Sequence, residues 1–205
     1  TTSPIHNIKY PKKELKLPKY LHYEEIEELF NIPDKTNPYG QRDSLILELL
    51  YSTGVRVSEL VNIKLDDISE DEIKVYGKGR KERIVYYTDT AREVLELYLN
   101  NGRNELLKDK NSEYLFINNK SEQLTDRGVR FILDKLIKET SIKTKISPHS
   151  LRHTFATHLL NEGADLKVVQ DLLGHKNIST TGIYTHVSNE ELRNIFYKSH
   201  PRSKE

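Results

Sequence analysis

The chain has 205 residues, enough for one sizeable domain with its own core. It contains no cysteine, which excludes disulfides, thiolate metal sites and a cysteine nucleophile, and no apolar run approaches the ~18–20 residues that span a bilayer. Thirty-two Lys and Arg against thirty-one Asp and Glu leave a formal net charge of +1, so bulk charge announces no polyanionic partner.

Charge is nevertheless segregated. Residues 1–20 carry five lysines and one glutamate, residues 74–83 five basic residues and one acid, and residues 127–145 six basic residues and two acids. Such patches on a neutral total are compatible with one basic face. Methionine is absent even at position 1, so we expect a piece of a longer protein; the lack of cysteine fits a reducing, cytoplasmic setting.

Residues 1–20, with Pro4, Pro11 and Pro18 and no apolar period, read as a basic linker or arm, leaving 21–205 as the domain. Ile26, Leu29 and Phe30 recur at helical spacing from Tyr23 until Pro33. A loop with Pro33, Pro38 and Gly40 follows, and Arg42–Gly54 is apolar nearly all round, as in a buried helix. Arg56–Lys64 reads as a short helix in which Arg56 and Glu59 share a face, so that the carboxylate can hold the guanidinium. Two β-like runs, Glu72–Tyr76 and Arg83–Tyr87, flank a basic, glycine-punctuated turn and predict a hairpin. A helix over 90–100 is expected to stop near Gly102, with a brief strand at Tyr114–Ile117. Arg127–Lys138 carries Val129, Ile132, Leu133, Leu136 and Ile137 on one side and Arg127, Arg130, Lys135 and Lys138 on the other. Ser147 and Pro148 are start signals for a helix running to Leu160, and Gly174 closes another over Leu166–Leu173. Ser179 caps a short helix carrying Tyr184, and residues 189–198 are amphipathic. The sum is a mainly α-helical fold with a small antiparallel β-sheet (α+β).

The chemistry concentrates between residues 147 and 186, where His149, Arg152, His175 and Tyr184 occur in one run. His149 and Arg152 are three apart in the opening turn of a helix, and an arginine there opposes the dipole preference for acids. A broken local rule points to function. Two arginines, a lysine, two histidines and a tyrosine are a coherent set for attacking a phosphodiester. Guanidiniums clamp phosphate oxygens and never deprotonate, which substitutes for a metal ion. Tyrosine becomes a nucleophile when neighbouring cations stabilise its anion. Blander readings stand beside this one: a structural ion pair for either arginine, a solvated turn lysine for Lys78, and a helical metal pair for His149 and His153.

The joint pattern is more specific than any part. R-V-S-E-L at 56–60, G-K-G at 77–79, H-S-L-R-H at 149–153, L-G-H at 173–175, T-T-G-I-Y-T-H-V at 180–187 and H-P-R at 200–202 resemble the tyrosine recombinases, a phage-integrase-like family, and closest the Xer-type branch. The resemblance spans roughly Leu21 to Arg202. It implies that Arg56 and Arg152 clamp the scissile phosphate and that Lys78 protonates the 5′-oxygen leaving group. His149 would assist proton transfer, His175 would hydrogen-bond the phosphate, and Tyr184 would form a 3′-phosphotyrosyl link, with Glu59 supporting the site. Double-stranded DNA would be the substrate, with Arg80, Lys81, Arg127 and Arg130 contacting it and with no metal or other cofactor. The resemblance further implies a catalytic domain separated from an N-terminal core-binding domain. It also implies a homo- or hetero-tetramer on DNA through the 189–198 helix, possible control by an accessory protein, and no membrane association. Two alternatives remain open at this point: a DNA-binding regulator that keeps the fold without strand transfer, and a metal-dependent hydrolase built on the histidines.

Overall fold

The computed structural model describes residues 20–174 and 187–203. Among them the chain runs α1 (Tyr23–Phe30), α2 (Pro38–Thr53), α3 (Val57–Val61), β1 (Glu72–Tyr76), β2 (Glu82–Tyr86), α4 (Asp89–Leu97), α5 (Arg103–Leu107), α6 (Asp126–Ile137), α7 (Pro148–Asn161), α8 (Leu166–Leu172) and α9 (Asn189–Ser199). The expected arm (save Tyr20) and the short helix expected to carry Tyr184 lie outside the described residues. The fold is mainly helical with one two-stranded antiparallel sheet, as the sequence predicts.

Helix α2 is the axis. Every residue from Gly40 to Thr53 is buried, and α1, α3, α4, α5, α7 and β2 all pack on it. Two of its charges match each other: Arg42 pairs with Asp43 at 2.8 Å and also donates to the Ile117 carbonyl at 3.1 Å. The helix starts four residues before the expected Arg42. Asn37 Oδ1 accepts from the Gly40 amide at 2.9 Å, and Pro38 takes the first helical position, where its missing N–H costs nothing. At the other end Gly54 turns the chain at φ 61°, and an added Cβ there would stand 2.5 Å from the Phe155 ring.

Four other expectations need adjusting. Helix α3 is shorter than 56–64, because Arg56 is its extended N-cap residue. Strand β2 begins and ends one residue early, in the register Glu72↔Tyr86 to Tyr76↔Glu82. The 90–100 helix does not stop near Gly102. It passes through a wide turn at Tyr98–Gly102 into α5, and the Gly102 amide donates to Gln41 Oε1 at 2.8 Å. Residues 114–117 form no strand but isolated pairings, Lys64 with Tyr114 and Ile117 with Gln123. Arg103 holds that segment by donating to the Tyr114 carbonyl at 2.7 Å, and the polar pull of one guanidinium replaces a sheet ladder.

Helix α9 lies on its own domain. Phe196 is buried against Tyr86, Arg193 pairs with Asp71, and the Tyr197 hydroxyl donates to the Tyr87 carbonyl at 3.2 Å. Just beyond it, Arg202 donates to Glu27 at 2.7 Å and to Glu48 at 2.9 Å. Glu48 lies in the middle of α2, and its Oε2 is buried without a partner. Burial pushes the Glu48 carboxyl up to about 7, despite the opposing charges of Arg202 and Lys35. Neighbouring His200 is fully buried, and burial pushes its imidazole down to about 3.

These two groups act oppositely on stability. The Glu48 contribution is complete below its unfolded value of 4.5 and is lost as pH rises through about 7. The His200 contribution is complete above 6.5 and is lost as pH falls towards 3. Glu48→Gln removes the first and leaves the second. The melting temperature of this variant minus that of the wild type should therefore climb by several degrees between pH 4.5 and 7.5, since ~1 kcal/mol moves Tm by about 2–4 °C in a domain of this size. A difference that stays flat across this window, followed by calorimetry, refutes the burial argument.

Candidate active site

The site is built where α2 ends. After the Gly54 turn, Val55 is buried and Arg56 caps α3 in an extended conformation. Three residues on, the Glu59 side chain returns under it: Oε2 accepts the Arg56 amide at 2.8 Å and Oε1 accepts Arg56 Nη1 at 3.1 Å. The i,i+3 pairing expected between them is therefore present. The Glu59 side chain is 1% exposed whereas that of Arg56 is 45% exposed, so the acid is a buried anchor and the arginine faces outward.

A third group, from β2, completes the anchor. Arg83 Nη2 donates to Glu59 Oε2 at 2.8 Å, Nε reaches Oε1 at 3.5 Å, and Nη1 donates to the Leu172 carbonyl at 2.6 Å. Burial pushes the Glu59 carboxyl up, but the Arg83 hydrogen bonds and charge, joined by Arg56, outweigh it and hold the group below its ordinary value. Glu59 is thus ionised at neutral pH.

Arg152 projects from α7 into the same cluster from below. It is buried, and its guanidinium donates to the Gly54 carbonyl and, at 2.7 Å, to that of Leu173. Burial first, then the charges of Arg56 and Arg83, push Arg152 down to about 10, with Glu59 pulling the other way. It remains a cation at neutral pH. Three guanidiniums thus surround one carboxylate, and the surplus positive charge makes the site electrostatically incomplete. An anion set against them would relieve the repulsion that burial amplifies.

Arg56, Glu59, Lys78, Lys81 and Arg83 line one cleft of about 970 Å³. Lys78 and Lys81 are exposed at the tip of the hairpin, where Gly79 and Arg80 adopt φ 74° and 56°. Arg80 is exposed beside them. A second cleft of about 610 Å³ opens between α6 and the start of α7, lined by Arg130, Lys145, His149 and His153. So His149 is exposed at the mouth of the neighbouring cleft while Arg152, one turn on, is buried against the Gly54 and Leu173 carbonyls. Arg127 lies exposed on α6. His175 and Tyr184 fall outside the described residues. Among the described residues no group of three or more His, Asp or Glu is arranged to hold a metal ion. His158 is engaged elsewhere, with the Tyr51 hydroxyl at 2.7 Å and the Leu21 carbonyl at 2.9 Å.

Sequence reading missed Arg83. The signal was the strand period: residues 83 and 85 share a face, and Arg83 stands opposite Val75 and Val85 opposite Ile73, all three valines and isoleucines being core. An arginine on the inner face of a hairpin requires a buried acid, and Glu59 is that acid.

The excess positive charge makes a direct prediction. At matched ionic strength, inorganic phosphate should raise Tm over chloride by about 1–3 °C in the wild type, through selective binding to the folded state. Arg56→Gln should lose most of that increment. Equal increments in the two proteins exclude this cleft as the anion site.

Comparisons with known proteins identify the family. Residues 19–191 match the model of the phage integrase family. Tyrosine recombinase XerC of Staphylococcus epidermidis is 50% identical over 204 residues, covering 98% of this chain and 68% of that protein. Tyrosine recombinase XerC of Bacillus subtilis is 49% identical over 205 residues, again covering 98% of this chain and 67% of that protein. Among solved structures, XerA recombinase superposes with a TM-score of 0.70 at 34% identity, over 91% of this chain and 67% of that one. XerH site-specific recombinase, in a pre-cleavage complex with its difH substrate, superposes with a TM-score of 0.67 at 31% identity, over 87% of this chain and 53% of that one. A buried acid ringed by arginines at the mouth of a basic hairpin thus sits in a chain that belongs to the phage integrase family, among the tyrosine recombinases.

Proposed function

We propose that this chain carries out the cleavage and rejoining steps of site-specific DNA recombination, with the guanidinium cluster as its phosphate clamp and Tyr184 as its nucleophile. The observation that supports this is the cluster of Arg56 and Arg83 on the buried Glu59 carboxylate, with the Arg152 cation close enough to feel both, beside a basic cleft. The named relatives are tyrosine recombinases, and XerH is captured with its DNA substrate both before and after cleavage.

In this reading Arg56 and Arg152 hold the non-bridging oxygens of the scissile phosphate and stabilise the charge that grows on them in the pentavalent transition state. The Tyr184 oxygen bonds to phosphorus while the bond to the 5′-oxygen breaks, leaving a 3′-phosphotyrosyl link and a free 5′-hydroxyl. His149 assists removal of the tyrosine proton, His175 hydrogen-bonds the phosphate, and Lys78 donates a proton to the departing 5′-oxygen. A 5′-hydroxyl from the exchanging strand reverses the step, so the energy of the bond is retained. The guanidiniums do the charge neutralisation for which other phosphoryl-transfer enzymes use metal ions, and no cofactor enters the scheme. Arg80 and Lys81 on the hairpin and Arg127 and Arg130 on α6 would neutralise flanking phosphates, which makes binding steeply salt-dependent.

Residues 21–205 then act as the catalytic domain, following the 1–20 linker. Assembly as a tetramer on DNA would run through α9, which in the unassembled chain rests on its own domain. An accessory protein that favours release of α9 would act as an activator. A DNA substrate of this kind sets the protein in the cytoplasm.

Two experiments decide the roles. Incubation with a nicked recombination site should trap a covalent protein–DNA adduct that Tyr184→Phe abolishes; an adduct surviving in that variant removes Tyr184 from the scheme. Lys78→Ala should slow cleavage of ordinary DNA by about 10²-fold or more, the usual scale of general acid catalysis, but far less when the leaving group is a 5′-thiolate. Equal slowing on both substrates eliminates proton donation by Lys78.

A further inference from the structure

We propose that Arg83 is a positioning residue for strand cleavage: it fixes Glu59, and through Glu59 the outward Arg56 guanidinium, against the end of α8. The inference rests on the recombinase reading and extends it to a residue whose side chain never needs to touch DNA. Its geometry is that of a spacer. Nη2 and Nε face the Glu59 carboxylate at 2.8 and 3.5 Å, and Nη1 meets the Leu172 carbonyl at 2.6 Å. All three of its nitrogens are committed to protein acceptors, and the side chain is only 15% exposed.

The next carbonyl of the same helix end, that of Leu173, takes Arg152 at 2.7 Å. Two arginines from different parts of the chain therefore grip consecutive carbonyls at the C-terminus of α8, where the helix dipole favours cations. One of them is the buried phosphate ligand of the scheme. The other holds the acid that holds the second phosphate ligand. Through this common support, Arg56 and Arg152 are kept at a fixed separation although they are 96 positions apart in the sequence.

Without Arg83, Glu59 keeps only the Arg56 amide and Nη1 as partners. The carboxylate is buried, so losing one of its two cations favours rotation towards the remaining one and draws Arg56 inward, away from the cleft. Arg56 would still be present and still charged. Its placement is what is lost, and misplacement of a transition-state contact falls on the chemical step rather than on DNA affinity.

The test is a single-turnover cycle on a nicked recombination site, using full-length protein and the variants named below. Arg83→Gln should slow adduct formation at saturating protein by about tenfold or more while the apparent Kd for the same site changes less than about twofold, the signature of an interaction made in the transition state only. Arg83→Lys, which keeps the charge but not the fork, should recover part of the rate. In an Arg56→Ala background the Arg83→Gln change should add little, because a residue that acts through Arg56 has nothing left to position. Multiplicative effects in that background overturn the proposal, as does a loss of affinity equal to the loss of rate, or no slowing in either Arg83 variant. Should Arg83→Gln fail to fold, as judged by its thermal transition, the Arg83→Lys pair carries the same cycle. The wild type and Tyr184→Phe report separately on the parent reading: an absent wild-type adduct, or one that survives in Tyr184→Phe, removes the recombinase scheme and this inference with it.

Discussion

The Glu59 carboxylate is the constraint on which the rest of the site depends. It is buried almost completely, it is ionised, and each oxygen faces two nitrogen donors, one set from Arg56 and one from Arg83. A buried ion pair of this kind is weak evidence for stability, since desolvation offsets most of the Coulomb gain. Removing one partner is a different matter, because an uncompensated buried charge costs about 3–5 kcal/mol. The arrangement therefore resists change without adding much to the folding free energy. That is the property wanted in a scaffold for charges that would otherwise repel one another.

Repulsion is what the fold has to manage. Arg56, Arg83 and Arg152 are close enough for the first two to depress the third, and Glu59 is the acid that opposes this. The chain solves this with main-chain dipoles. The Gly54 carbonyl, free because α2 ends there, and the Leu172 and Leu173 carbonyls, free because α8 ends there, accept from the guanidiniums and supply partial negative charge without neutralising the cluster. Helix ends thereby serve as ligands for cations, and the cluster keeps its net positive charge. Gly54 contributes twice: its left-handed conformation ends α2, and its carbonyl is the acceptor for Arg152.

How much of this was legible depended on whether a signal was local. The α7 start was readable because Ser147, Pro148 and the apolar period announce themselves within a few residues, and Ser147 Oγ does accept the Ser150 amide at 3.2 Å. The Arg56–Glu59 pair was readable from helical spacing, and β1 from its alternation. Two readings that take a proline or glycine as punctuation fail, although Gly54 and Pro148 do mark helix ends. Pro38 reads as a loop residue but begins α2, and Gly102 reads as a helix end but lies within a continuous turn held by Gln41, 61 residues away. Arg83 was missed for a related reason. Its acid partner is 24 residues distant, so neither helical nor strand spacing links the two, and only the register of the hairpin shows that an arginine points inward.

The C-terminal segment shows how the same physics can leave an interface exchangeable. Phe196 is 1% exposed, and covering one aromatic side chain contributes about 2–3 kcal/mol. Arg193–Asp71 is a half-exposed pair of small worth, and Arg202 engages Glu48, whose burial works against its own ionisation. The grip of α9 on its domain is thus made of the buried Phe196, with Leu192, Ile195 and Tyr197 packed against the same core, and several polar contacts that offset their own desolvation. If identical pockets on neighbouring copies received the same segment, each contact would be remade with nearly the same free energy. The balance between the two arrangements would then turn on chain entropy and on DNA holding the copies together, not on the contacts themselves. Glu48 is the weak point of this balance: burial in the middle of the most buried helix pushes its carboxyl up to about 7, so its pair with Arg202 loses charge as pH falls through that value.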